Sequence, residues 1–282
     1  AWRIAPQTQG RRLRFPRILM GFCVGAMLAL AGYLMQLMVN NPLADPFILG
    51  TSSAASVGAN LALLGFLSLF GVYSSVLMAF VMALVVTVLV VLIAQHKGFI
   101  QPSKLLLGGI AVSSLMTSII SLMSYLTNSS NKLKTIVFWV MGSLESSSWE
   151  TVIISLIVLF VVSSYFILKT NQLNILLLGF SKAKTLGLNE KKLRWEVLIG
   201  ASLLAAVGVA FTGPIGFVGL MVPHVVRAIF GITNKLNLLN TVLIGGLFVV
   251  IADLISKNHA VEEKTVDTHN YKQHLKKYSR PV

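Results

Sequence analysis

The sequence predicts an all-α, polytopic membrane protein, a bundle of about eight transmembrane helices, and three observations carry that prediction. Of 282 residues, 55% are hydrophobic and only 11% are charged, with a mean hydropathy of +0.81; an ordinary soluble domain is about a quarter charged. Apolar runs of the length needed to cross a hydrocarbon core, about 20 residues for about 30 Å, recur along the chain. The charged residues cluster between those runs, where water and lipid head groups solvate them.

The elements follow in order. Residues 18–39 make the first run, with Gly21, Gly25 and Ala29 four apart on one small face that permits close helix approach. Asn41-Pro42-Leu43-Ala44-Asp45-Pro46 ends it, because each proline lacks a backbone donor and disfavours helix in the residue before it. Residues 50–71, more polar through Thr51, Ser52, Ser53 and Ser56, are the second run, 72–95 the third, 105–127 the fourth and 151–168 the fifth. Residues 196–212 are the sixth, 214–231 a short and broken seventh, and 238–256 the eighth. The chain therefore divides into a basic segment 1–17, a transmembrane domain 18–256 containing a loop 169–194, and a polar, solvated tail 257–282. Within the loop, residues 171–178 suit one short helix stopped by Gly179, and Ser181 can cap a second that Gly187 stops. Trp139 and Trp149 read as interfacial anchors.

Charge sets the orientation. Loop 169–194 carries Lys169, Lys182, Lys184, Lys191, Lys192 and Arg194 against Glu190, which places it in the cytoplasm. Loop 128–150, with Lys132 and Lys134 against Glu145 and Glu150, then lies outside. Alternation puts Arg11, Arg12, Arg14 and Arg17 outside as well, against the usual tendency; such arginines need either an upstream helix that fixes topology or a task of their own. The formal net charge of +14 sits between lipid-length runs, which fits head groups or an acidic partner and argues against nucleic acid.

Several mechanisms lack their residues. Cys23 is the one cysteine, so no disulfide forms within the chain and no CxxC site exists. Residues 105–131 and 197–226 contain no Asp, Glu, Lys or Arg, and 18–95 contain only Asp45, so a coupling ion has little to bind at mid-membrane. No GxxxxGK[ST] phosphate loop is present. Energy for transport would then come from another protein; an ion-coupled carrier or a channel stays open as the alternative.

Ordered motifs add a resemblance. Arg14-Phe15-Pro16-Arg17, Gly32 through Gln36, Asn41-Pro42-Leu43-Ala44-Asp45-Pro46 with Leu49-Gly50, and Trp139-Val140-Met141-Gly142-Ser143 come first. Asn174 through Gly179 with Ala183 and Leu186-Gly187, then Gly213-Pro214 through Leu220 with Pro223-His224 and Arg227, and finally Ala252-Asp253-Leu254, complete the series. Together they resemble the FecCD-like permeases, the membrane subunits of type II ABC importers for iron-siderophore, haem or vitamin B12. The family pattern has ten spans, and the eight counted here correspond to its second through ninth. The polar stretch from Asn258 stands where the last helix would be, so a truncated, non-transporting remnant is a further expectation.

The resemblance implies roles. The chain would sit in the bacterial inner (plasma) membrane as one of two permease subunits, identical or not, without a cofactor of its own and without enzymatic activity. ATP and magnesium would be bound by a partner cytoplasmic ATPase, coupled through Leu173, Leu176, Leu177, Gly179, Lys182, Lys184, Leu186 and Gly187; an amphipathic loop lying on head groups is the alternative. Arg14, Arg17 and Lys257 match positions that pair with carboxylates of an extracytoplasmic substrate-binding protein, the alternative being head-group binding. Ser113, Ser114, Thr117, Ser118 and Ser121 would line a translocation path or else hydrogen-bond neighbouring helices. His224, a lone histidine, is a poor metal ligand and reads as a structural contact at a helix break beside Pro223 and Arg227; Asp253 reads as paired in the bundle or near the outer surface rather than catalytic.

Overall fold

The computed structural model describes the backbone of residues 5–65, 73–96, 99–176, 188–232 and 234–278, and their side chains except 5–14, 96, 99, 190 and 259–278. Ten helices are described: α1 (Ala5–Val39), α2 (Thr51–Leu63), α3 (Ser74–Ala94), α4 (Pro102–Leu126), α5 (Ser130–Met141), α6 (Trp149–Leu168), α7 (Thr170–Leu176), α8 (Glu190–Thr212), α9 (Val218–Phe230) and α10 (Asn237–Tyr278). Two-residue strands β1 (Gln95–His96) and β2 (Phe99–Ile100) pair antiparallel between α3 and α4, Gln95 opposite Ile100.

Helix α1 is the axis of the bundle, packed against α10, α8, α9 and α6. Its contact with α10 depends on the small residues seen in the sequence. A Cβ at Gly25 would run into the carbonyl oxygen of Gly245, and one at Gly245 would strike Ala29 and the Gly25 carbonyl. The two backbones touch there, and dispersion between them replaces a hydrophobic drive that lipid does not supply. At the periphery the pattern reverses: Leu92, Leu107, Phe160 and Leu168 are exposed, the expected outer surface of a bundle immersed in hydrocarbon. The chain is a multi-pass membrane protein.

Among the described residues, six helices are long and apolar enough to cross a membrane: Phe15–Val39, Ser74–Ala94, Pro102–Leu126, Trp149–Leu168, Lys191–Thr212 and Asn237–Asn258. The other two expected spans are helices of 13 residues, about 20 Å long at 1.5 Å per residue and too short to cross alone. The reason is visible at the first of them. Asn40, at positive φ, ends α1, and the Asn41 carboxamide accepts the Leu43 N–H at 2.9 Å. The Asp45 carboxylate accepts the Phe47 N–H at 2.7 Å and caps one 3-10 turn, Pro46–Leu49. By then the chain has turned back into the bundle. A Cβ at Gly219 would meet Pro46 at 2.5 Å and the Leu28 carbonyl at 2.8 Å, and Leu28 lies 11 residues, about 16 Å, before the end of α1. Helix α2 therefore starts near mid-depth, after a non-helical segment whose polar backbone is sheltered by protein. Helix α9 likewise starts deep, beside Gly32 of α1, after the non-helical residues 213–217.

The structure adds helix to both terminal segments. The segment 1–17 is helical from Ala5, continuous with the first span and running through Pro16. The residues after 256 do not leave the helix: α10 continues as far as Tyr278. Polarity alone had marked both as non-membrane segments, but it does not forbid helix, and no proline or glycine interrupts residues 247–278.

Candidate functional site

The hydroxyl face of α4 comes first, because the fold leaves it uncovered. Leu105, Gly109 and Val112 form the buried face of α4, against α3 and the 3-10 turn. At about 100° per residue, Ser113, Thr117 and Ser121 fall on another face, with Ser114 and Ser118 beside them. Ser114, Thr117, Ser118 and Ser121 are exposed and Ser113 is half-buried. The hydroxyls do not bridge helices: Ser114, Thr117, Ser118 and Ser121 donate to carbonyls one turn back on α4, at 3.0, 2.9, 2.9 and 3.1 Å. Their oxygens keep acceptor capacity toward the outside. A shallow cleft of about 390 Å³ lies between Ile48 and the Ser113–Thr117 stretch, beside the start of α2. Ser124 and Thr127 extend the back-bonded series toward the helix end. The sequence reading stopped at Ser121, although the i+3 and i+6 continuation was the signal.

At one end of the bundle, Arg17 of α1 meets Asp253 of α10. The guanidinium Nε donates to both carboxylate oxygens at 3.2 and 3.0 Å, and Nη2 donates to Oδ1 at 2.5 Å. Glu145 stands 3.6 Å from Nη1 but is 79% exposed, whereas Arg17 and Asp253 side chains are 18% and 14% exposed. Asp253 is thus paired within the bundle, as its place late in the eighth run suggested. Arg17, expected to meet a binding protein's carboxylate, has its fork occupied by Asp253 within this chain. Lys257, one turn beyond Asp253, is half-buried, and the side chain of Arg14 lies outside the described residues. The same end carries Tyr73, whose hydroxyl donates to Glu150, and Lys132, which reaches the Leu64 carbonyl at 3.3 Å.

The opposite end carries loop 169–194. Helix α7 covers Thr170–Leu176, and both Leu173 and Leu176 are buried in the main core. These two leucines fasten α7 to α1 and α6; the expectation that they present an apolar face outward is corrected, because their side chains are used inward. Leu177, Gly179, Lys182, Lys184, Leu186 and Gly187 lie outside the described residues. Lys169 bonds Glu196 of α8 at 2.5 Å and sits 4.6 Å over the Tyr165 ring. Burial pushes the Lys169 ammonium down, and bonding to Glu196 and Tyr165 outweighs this, leaving it above the ordinary lysine value. Arg194 is buried and donates to the Ile100 carbonyl, joining α8 to the β2 strand.

The same end holds a second polar group. Arg227 of α9 donates to the Gln36 carboxamide oxygen, while the Gln36 nitrogen donates to the Gly219 and Leu220 carbonyls at 3.4 and 3.2 Å. The Arg227 guanidinium lies 5.6 Å from the Tyr33 ring centre. Pro223 is buried inside α9. His224 is exposed on a cavity wall; the polar contact expected of it at this break is made by Arg227 instead. Gln36 had been noted only as a motif letter, though a single carboxamide in an apolar run was the cue that it bonds something. Gly213 ends α8 at φ +69°, and Gly142 at φ +73° packs against it and Pro214, tying α5 to the start of the deep loop. Among the described residues, no group of three His, Cys, Asp or Glu could hold a metal.

With that geometry in place, comparison with known proteins is informative. The pattern of the FecCD transport family matches residues 5–265. The cobalamin import system permease protein BtuC of Halobacterium salinarum is 38% identical over 251 residues, covering 89% of this chain and 67% of the relative. The molybdate import system permease protein MolB of Haemophilus influenzae is 34% identical, covering 88% of this chain and 72% of the relative. Among solved structures, a chain of a metal-chelate type ABC transporter in an inward-facing conformation superimposes with a TM-score of 0.82 at 33% identity, covering 90% of this chain and 81% of that one.

Proposed function

This chain belongs to the FecCD transport family, and on that premise we propose that it is the membrane-spanning permease subunit of an ATP-driven importer, moving its cargo by alternating access. The observation that carries the reading is the hydroxyl face of α4. It occupies the second half of the span Pro102–Leu126, stays exposed among the described helices and contains no charge. Facing lipid, such a stripe gains nothing; facing a second copy across a water-filled path, it wets the passage without holding cargo tightly.

The remaining parts take supporting roles. A cytoplasmic ATPase, binding ATP and magnesium, supplies the energy and engages the loop between α7 and α8, including Leu177, Gly179, Lys182, Lys184, Leu186 and Gly187. Leu173 and Leu176 then serve as the anchor through which a push on that loop reaches α1 and α6. A substrate-binding protein docks at the end bearing Arg14 and Lys257, and Arg17 joins such a contact only by exchanging Asp253 for a partner carboxylate. The cargo class is an iron-siderophore, haem or a corrinoid, in line with the cobalamin relative and the metal-chelate structure. The molybdate relative makes a small oxyanion the competing cargo.

The test is uptake into proteoliposomes reconstituted with a partner ATPase and binding protein, with labelled cobalamin, ferric siderophore, haem and molybdate compared side by side. ATP-dependent uptake of one of the first three is expected, with loss when Ser114→Cys is modified by a bulky thiol reagent. Uptake driven by a proton or sodium gradient in vesicles without ATP would establish an ion-coupled carrier and displace the reading.

A further inference from the structure

The cavity beside Arg227 is used by none of the roles above. It measures about 490 Å³ and opens where α1 ends and α9 approaches its own C-terminus. Its polar wall includes Gln36, Asn41, His224 and Arg227, and its apolar wall includes Leu37 and Ile232. Arg227 carries five N–H donors. One is used on Gln36, a neutral partner, and the face of Tyr33 is neutral too. Among the described residues, no carboxylate forms an ion pair with it. Arg17, by contrast, is satisfied three times over by Asp253.

We propose that this cavity binds the phosphate of an anionic phospholipid head group, with Arg227 as its counter-charge and Asn41 and His224 as neighbouring donors. Depth favours this ligand. Asn41 lies just past the end of the span Phe15–Val39, at the level where head groups meet hydrocarbon. Ile232, on the apolar wall, and Ile229 and Phe230, beside it on α9, are 62%, 65% and 42% exposed, a surface suited to the first methylenes of an acyl chain. A phosphate offers the planar guanidinium two acceptor oxygens, which Gln36 cannot. A free phosphate from solution shares that chemistry but gains nothing from the apolar wall.

The experiment is native mass spectrometry of the full chain released from bilayers containing equal amounts of phosphatidylglycerol and phosphatidylcholine. The wild type is expected to retain phosphatidylglycerol at least fivefold over phosphatidylcholine. Gln36→Glu, which supplies an internal counter-ion to Arg227 while losing the two donations to the Gly219 and Leu220 carbonyls, is expected to remove that preference in a chain that still folds. Arg227→Lys is expected to keep part of it. Equal retention of the two lipids by the wild type, or an undiminished preference in a folded Gln36→Glu chain, overturns the proposal. If millimolar inorganic phosphate displaces the bound phosphatidylglycerol fully, the site is a phosphate site filled from solution and the lipid assignment is overturned.

Discussion

Helices α1 and α4 present nearly identical spans and opposite fates. Phe15–Val39 and Pro102–Leu126 are each 25 residues long with almost equal mean hydropathy, yet 83% of the first window and 17% of the second are buried. In water, equal apolarity would drive both inward. In lipid it does not, because acyl chains solvate leucine as well as another helix does. What separates the two is the pattern of small and polar residues. Helix α1 offers Gly25 and Gly32 to backbones on α10 and α9. Helix α4 offers one such contact, Gly109 against the Ile48 carbonyl, and carries the rest of its polar small residues in a hydroxyl stripe that the described helices leave exposed. One helix is a packing axis and the other an exposed surface.

Mutations can break or sharpen that contrast, and the largest effect is expected on α1. Gly25→Leu forces a side chain into the Gly245 backbone and is expected to cost about 3 kcal/mol of stability. Leu115→Ala on the exposed side of α4 should stay within about 0.5 kcal/mol. Thermal unfolding of the detergent-solubilised chain measures both, and similar losses at the two sites would dissolve the distinction. Asp253→Ala, which strips Arg17 of its fork at the edge of the packed region, is expected to cost about 2 kcal/mol in the same assay, with Asp253→Glu recovering part. Less is at stake for Lys169 and Glu196, joined by one hydrogen bond where Arg17 and Asp253 share three: Glu196→Gln should cost about 1 kcal/mol. The smallest stability change is expected from Ser114→Leu combined with Ser118→Leu, within about 0.5 kcal/mol, since both hydroxyls bond only their own helix. Uptake by the reconstituted transporter should nonetheless fall several-fold. A fall in the unfolding midpoint with uptake intact would make the α4 face structural.

Much of the fold was legible in the residues. The six long spans among the described residues, the turn at Asn41–Pro46 and the small face at Gly21, Gly25 and Ala29 all follow from apolar length, proline and glycine. Helix depth was less legible. Residues 50–71 and 214–231 were expected to span, and their described helices, Thr51–Leu63 and Val218–Phe230, begin only after a non-helical stretch has entered the bundle. Hydropathy counts residues buried in protein and residues facing lipid alike, so it cannot tell a full crossing from a half-helix with an extended lead-in. The site was less legible: the α4 hydroxyls share an exposed face, while the Arg17 fork is taken by Asp253 and Leu173 and Leu176 are buried, contacts that no local pattern announces.

By itself, the sequence determined that this chain lives in a membrane, where its long apolar helices run and where proline breaks the first of them, since those depend on composition, length and local backbone chemistry. The tertiary structure alone decided which polar groups are satisfied. Arg17 is quenched by Asp253 across 236 positions and Arg227 is left with a carboxamide across 191. Two arginines of the same intrinsic charge differ because one fold contact brings a carboxylate within 2.5 Å and the other brings a neutral amide.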